Sequence, residues 1–168
     1  KELVYLTPGL DLAFWRYLSK GVENAATEAG YSYQAFDSGN NAQTQLENAK
    51  DAIARGVAGI VISPTDSSTA PAVLDLAKQA NIPVVIADIG TDSGDYVSFI
   101  ISDNYQGANG VGKALAEAMK AAGKEGGSVG IVGISQARLN GQARTKGFKD
   151  AMAEAGITKE DGLQQLQT

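Results

Sequence analysis

The chain has no cysteine and no histidine among its 168 residues, and only one tryptophan. The missing cysteine excludes a disulfide framework and thiolate chemistry. The missing histidine removes the commonest general base and the commonest metal ligand together. Positive charge is also scarce. Fourteen Lys and Arg against nineteen Asp and Glu leave a net charge of −5, which speaks against a nucleic-acid surface, because phosphate binding needs clustered Lys and Arg. No apolar run approaches the roughly 18 residues of a membrane-spanning helix. No G-x-G-x-x-G follows a strand pattern and no G-x-x-x-x-G-K-S/T occurs, so dinucleotide and phosphate-loop chemistry have no motif here. No metal and no cofactor are expected. What is present, 43% hydrophobic residues, 20% charged residues and 20 glycines, is a soluble globular profile with many tight turns.

The order of patterns predicts an α/β fold. "ELVYL", "YSYQAFD", "GIVIS", "IPVVIAD", "YVSFIISD" and "SVGIVGIS" read as strands. "GIVIS" lacks polar alternation, as a strand buried on both faces does. Helices fall between them. The first is expected to bury Phe14, Leu18, Val22, Ala25 and Ala29, spaced by threes and fours, and to stop at Gly30. A second has Asn41 as N-cap and Gly56 as its stop. In a third, Pro71 is tolerable only in the first turn. A fourth runs through Ala108, Val111, Leu115, Ala118 and Ala122. Such alternation means a doubly wound parallel sheet covered by helices on both faces.

"KGVENAATEAG", starting at Lys20, returns as "KGFKDAMAEAG", starting at Lys146, with six of eleven positions identical. Leu6 and Val132, each within a strand pattern, both lie fourteen residues before their copy. The repeat therefore covers strand, loop length and helix. It predicts two similar lobes: an N-terminal Rossmann-like lobe over residues 1–102 and an incomplete second lobe over 103–168. "LQQLQT" would be a second strand of the latter. The chain opens directly on a strand pattern, as one does whose targeting segment has been removed or trimmed.

In open parallel sheets ligands sit outside the carboxyl ends of the strands. The stretches there are "TPGLDLAFW" with Asp11, "DSGNN", "SPTDSS" with Ser63, then Asp88, then "SDN" after Ser102, and "SQARLNGQAR" with Arg138 and Arg144. None carries a catalytic set. Asp66 reads as a helix cap, and the glycines of "GANGVG" as close helix packing. Two features stand out. Trp15 and Tyr17 fall off the apolar stripe, and an aromatic beside strand ends can stack on the C–H face of a sugar ring. Arg138 and Arg144 flank a helix start, where a planar fork of donors suits hydroxyls and carboxylates, although a pair of solvated arginines reads equally well.

"AFWRYLSKGVENAATEAGY", "DSGNNAQTQLENAKDAIARGVAGIVISPTDSSTA", "QANIPVVIAD", "ISDN" and "RTKGF" resemble, in order and over essentially the whole chain, the N-terminal part of periplasmic sugar-binding proteins of the ribose-binding type. The resemblance implies a non-enzymatic, extracytoplasmic protein. It would close two lobes over a sugar or polyol and present it to an ABC transporter permease or a chemoreceptor. It also implies stacking by Phe14 and Trp15, polar contacts from Ser63, Asp88 and Arg144, and a hinge at Ser102. Ser63 stands where ribose binders carry Asn, and two further departures count against ribose itself. Ile89 stands where ribose binders carry Arg, and Leu12–Ala13 where they carry Asn-Pro. Full members also continue beyond this length, so the chain reads as truncated, with apolar stripes such as Val111, Leu115, Phe148 and Met152 left to self-associate or to pair with a missing C-terminal piece. The alternatives are the effector-binding core of a lac-repressor-type regulator and an enzyme on a doubly wound sheet. The missing His, Cys and phosphate loop weigh against the enzyme.

Overall fold

A computed structural model describes residues 1–166, with side chains through residue 160. It divides into two compact units, Lys1–Ile101 and a second from Ser102 onward.

The first unit holds β1 (Glu2–Thr7), α1 (Ala13–Glu28), β2 (Ser32–Asp37), α2 (Ala42–Ala54), β3 (Gly59–Ile62), α3 (Ala70–Gln79), β4 (Val84–Ala87) and β5 (Ser98–Ile100). The five strands form one parallel sheet in the order β2-β1-β3-β4-β5. The order reverses after β2. Right-handed crossovers therefore put α1 on one face and α2 and α3 on the other. Val4, Leu6, Ile60, Ile62, Val84 and Ile86 pack with Ala49, Ala52, Val73, Leu74 and Ala77 of α2 and α3. By strand alternation Tyr5 points to the opposite face.

Local signals act as the sequence predicts. Asn41 Oδ1 accepts from the Thr44 N–H at 2.9 Å, and Pro71 lies in the first turn of α3. Gly30 and Gly56 take the left-handed conformation just past their helices. Asp66 accepts from the N–H groups of Ser68 and Thr69. It thus closes the turn before α3, whose N-cap is Thr69.

One stripe is corrected. α1 buries Trp15 and Ala26, while Phe14 is 55% exposed. Its inner face runs Trp15, Leu18, Val22, Ala26, about 100° round from a stripe led by Phe14. Leu18 and Val22 belong to both readings, which is why spacing alone chose the wrong one.

The second unit holds α4 (Asn104–Ala121), β6 (Val129–Ile134), α5 (Leu139–Glu154) and β7 (Glu160–Leu166). β6 and β7 are parallel. The last residues of "LQQLQT", Gln167 and Thr168, lie outside the described residues. The repeat is structural. α1 and α5 have sixteen residues each and end alike: Tyr31 donates to Ala26 O and Ile157 to Met152 O, both at 2.9 Å.

α4 is also rotated from its predicted stripe. It buries Asn104, Asn109, Gly112 and Ala116 against α5, leaving Val111 and Leu115 exposed. A Cβ on Gly112 would sit 2.7 Å from Ala151 Cβ. The two helices approach through small residues, and bulky ones would hold them apart. Gly107 and Gly110 have nothing within 4 Å, so close packing explains only one glycine of that run. Met152 is buried and Phe148 half-buried, which corrects their reading as exposed.

Candidate functional site

All strands of the first sheet are parallel, so their carboxyl ends share one edge, and β1 and β3 flank the point where strand order reverses. The loop after β1 is pinned from β2. Asp37 accepts the Leu10 N–H at 3.0 Å and the Gly39 N–H at 2.8 Å. Arg16 Nη1 donates to the carbonyls of Leu10 and Asp11, so the α1 side of the loop is also tied, and the Asp11 residue stays exposed. α1 starts at this edge. It presents the Phe14 ring to its surroundings, with Trp15 meeting that ring edge-on at 4.8 Å between centroids. Tyr17 is exposed.

After β3 comes Ser63, with no exposed surface. Its hydroxyl donates to Ala87 O at 2.8 Å. That carbonyl can only accept, so the single hydroxyl proton is spent there and Tyr5 Oη, 2.9 Å away, is the donor to Ser63 Oγ. The Ser63 carbonyl accepts from Gln45 Nε2, and Gln45 Oε1 accepts from the Thr65 N–H, each at 3.0 Å. In this unit the Ser63 side chain is enclosed, with its proton given to Ala87 O and one lone pair taken by Tyr5. Neither Tyr5 nor Gln45 carried a sequence signal. The first reads as a strand residue, the second as the polar side of α2.

Burial pushes the Tyr5 phenol up to about 12, with hydrogen bonding to Ser63 and Thr7 opposing. A folded pKa above the unfolded value of about 10 contributes stability that is complete below pH 10 and is lost as pH rises toward 12. Between those limits the chain should lose about 2 to 3 kcal/mol through Tyr5. Denaturant titrations at pH 9 and pH 11.5 should show that loss shrinking in Tyr5→Phe; an equal loss in both proteins contradicts it.

Asp88 follows β4, half-buried, with φ +67°. Non-glycine residues take that region sparingly, and Asp is among the few that tolerate it.

In the second unit, Arg138 is 7% exposed at the N-cap of α5, whereas Arg144 on the next turns is exposed. The two arginines are thus not an equivalent solvated pair. Arg144 Nε donates to Asn104 Oδ1 at 2.7 Å, and Asn104 Nδ2 donates to the Ser102 carbonyl at 2.9 Å. This orients the guanidinium from the first turn of α4. Asn104 was visible in sequence only as the end of "SDN". A hollow of about 480 Å³ lies beside Arg144, walled largely by Ile131, Val132, Phe148 and Val111. Its mostly apolar lining suits a covered protein surface better than a polyol, whose hydroxyls each need a partner. Among the described residues no helix is long and apolar enough to cross a membrane.

Residues 3–167 match the family described as "Periplasmic binding protein domain". The ribose import binding protein of Escherichia coli K12 is 38% identical over 148 residues, covering 86% of this chain and 47% of that protein. The D-apiose import binding protein of Paraburkholderia graminis is 31% identical over 151 residues, covering 89% and 47%. Among solved structures, a carbohydrate transporter solute binding protein from Agrobacterium radiobacter, in complex with D-arabinose, superposes with TM-score 0.89 at 25% identity, over 99% of this chain and 57% of that one. The chain spans about half the length of the curated relatives it matches.

Proposed function

The chain belongs to the periplasmic binding protein family, and from that premise we propose that it is the ligand-binding portion of a sugar or polyol import protein, working outside the cytoplasm with an ABC transporter permease or a chemoreceptor. The observation that carries this is an exposed aromatic ring and a carboxylate, Phe14 and Asp88, set after two strands of one parallel sheet, in a chain 38% identical to a ribose import binding protein. The ring faces the C–H side of a sugar, and Asp88 takes hydroxyl donors. On the second unit, taken by itself, Arg144 held by Asn104 offers donors and Ser102 a further polar group; Asp11 is a further polar group of the first unit. Trp15 backs the stacking ring, and Arg138 and Ser63 act from inside.

The relatives are named as import binding proteins, which favours this reading over a regulator's effector core. Ile89 is fully buried and offers no polar contact, and Ser63 is engaged internally. The proposed ligand therefore makes fewer polar contacts on this unit than ribose does on ribose binders. The exposed Val111, Leu115 and Val132 of the second unit are the surface through which the chain associates with a second copy or a completing segment.

Mass spectrometry of small molecules released from the protein purified as its own cell makes it tests the reading, followed by calorimetry with D-ribose, D-apiose, D-allose, D-arabinose and myo-inositol and by light scattering for association. A released pentose, hexose or cyclitol that rebinds supports it. Release of an amino acid or nucleotide, or silence from every sugar, overturns it.

A further inference from the structure

The peptide between Ala87 and Asp88 is held from three sides. The Ala87 carbonyl accepts from Ser63 Oγ and from the Ile89 N–H, each at 2.8 Å. The Asp88 N–H donates to Ile100 O, also at 2.8 Å. A hydrogen bond from residue 89 back to residue 87, around a centre with φ +67°, is a γ-turn of the rare left-handed form. That turn is strained, and an L-residue holds it only where surroundings over-determine it.

The surroundings on the sheet side are Ser63 and Tyr5. Gln45 fixes the Ser63 carbonyl, and Leu6 O accepts the Ser63 N–H at 3.0 Å. The serine backbone is tied on both sides, and its hydroxyl rotor is set by Tyr5 Oη, which donates to one Oγ lone pair and leaves the proton to point elsewhere. The hydroxyl is thereby aimed at Ala87 O.

We infer that Ser63, oriented by Tyr5, is a positioning residue that holds the strained turn at Asp88 and so aims the Asp88 carboxylate. The role of that carboxylate in sugar binding rests on the function proposed above; the turn itself does not. Ser63 then acts on ligand through Asp88 while touching none.

Ser63→Ala in the 168-residue chain, without sugar, tests the turn by amide hydrogen exchange. Loss of the bond should speed exchange at Ile89 by about tenfold or more while amides in β1 and β3 change little, since only one hydrogen bond's protection is removed. Ser63→Thr, which keeps the hydroxyl, should restore it. Ser63→Ala also takes the Ser63 partner from the buried Tyr5 phenol and lowers stability for that separate reason. The double variant Tyr5→Phe/Ser63→Ala removes both partners and should recover most of the thermal midpoint. Positioning requires Ile89 to stay fast in that double variant. If its protection returns with the midpoint, or if exchange rises evenly across β1, β3 and β4, Ser63 is only a core strut and the inference fails. A sugar found by the release experiment adds the second reading: its dissociation constant should rise in the double variant and in Asp88→Asn alike. A rise in the double variant alone removes Asp88 from the ligand site and leaves the turn result standing. An unchanged constant in the double variant, with Asp88→Asn weakened, overturns the aiming role.

Discussion

Replacing Trp15 by alanine should lower the stability of the chain by about 3 to 5 kcal/mol, the usual cost of emptying a large buried aromatic site. Replacing its neighbour Phe14 should leave stability nearly untouched. The two rings differ by one position and by half the range of exposure, 5% against 55%. In sugar binding the order changes. Phe14→Ala should weaken binding by about 1 to 3 kcal/mol, the worth of one aromatic face in stacking. Trp15→Ala should weaken it too, because the edge-on contact that fixes the Phe14 ring disappears. Denaturant melts and calorimetry on both variants give four numbers. A Phe14→Ala protein with unchanged affinity takes the ring out of the site. A Trp15→Ala protein of full stability contradicts its burial.

Gly147→Ala should cost about 3 kcal/mol or more, at the upper end of overpacking effects. The new Cβ would lie 2.2 Å from Tyr105 O and 3.2 Å from Asn109 N. Both are backbone atoms of a neighbouring helix, and neither can swing away. Moving α4 outward would also break the 3.1 Å bond from Asn109 Nδ2 to Gly147 O, stranding a buried amide. Gly21 is the same residue of the first copy of the repeat, and it has nothing within 4 Å. Gly21→Ala should therefore stabilise α1 by about 0.5 to 1 kcal/mol. The chain's one tryptophan lies in the first unit. Fluorescence should thus report Gly147→Ala weakly while far-ultraviolet dichroism registers the loss. Equal effects from the two alanines would mean that the α4–α5 seam is looser than its distances.

That pair also marks how far the sequence could be read. The repeated Lys-Gly-x-x-x-Ala pattern carries the helix and its stop, because both are local matters of backbone conformation. It carries nothing about what faces each glycine, which depends on α4 in one unit and open space in the other. The parallel sheet was legible from alternation and from the all-apolar "GIVIS", and Asn41 and Pro71 from their helix-end chemistry. The α1 stripe was not, since Leu18 and Val22 fit two faces equally and a bulky aromatic at either neighbouring position completes one. The α4 stripe failed for a different reason. Apolar periodicity finds faces that meet apolar groups, and this face meets a helix through Gly112, Ala116 and a bonded Asn109. At the candidate site, Asp88 could be placed by its position after a strand. The engagement of Ser63 could not, because it depends on Tyr5 of the neighbouring strand, 58 residues earlier.

The contiguity of the first unit has a consequence in time. Every strand that β1 and β3 pair with is encoded before Ser102. At the roughly 5 to 20 residues per second of synthesis, several seconds pass before the remainder emerges, long beside the milliseconds to seconds in which mixed α/β domains fold. The five-stranded sheet, with the Asp88 turn already strained into it, can be complete while α5 is still being made.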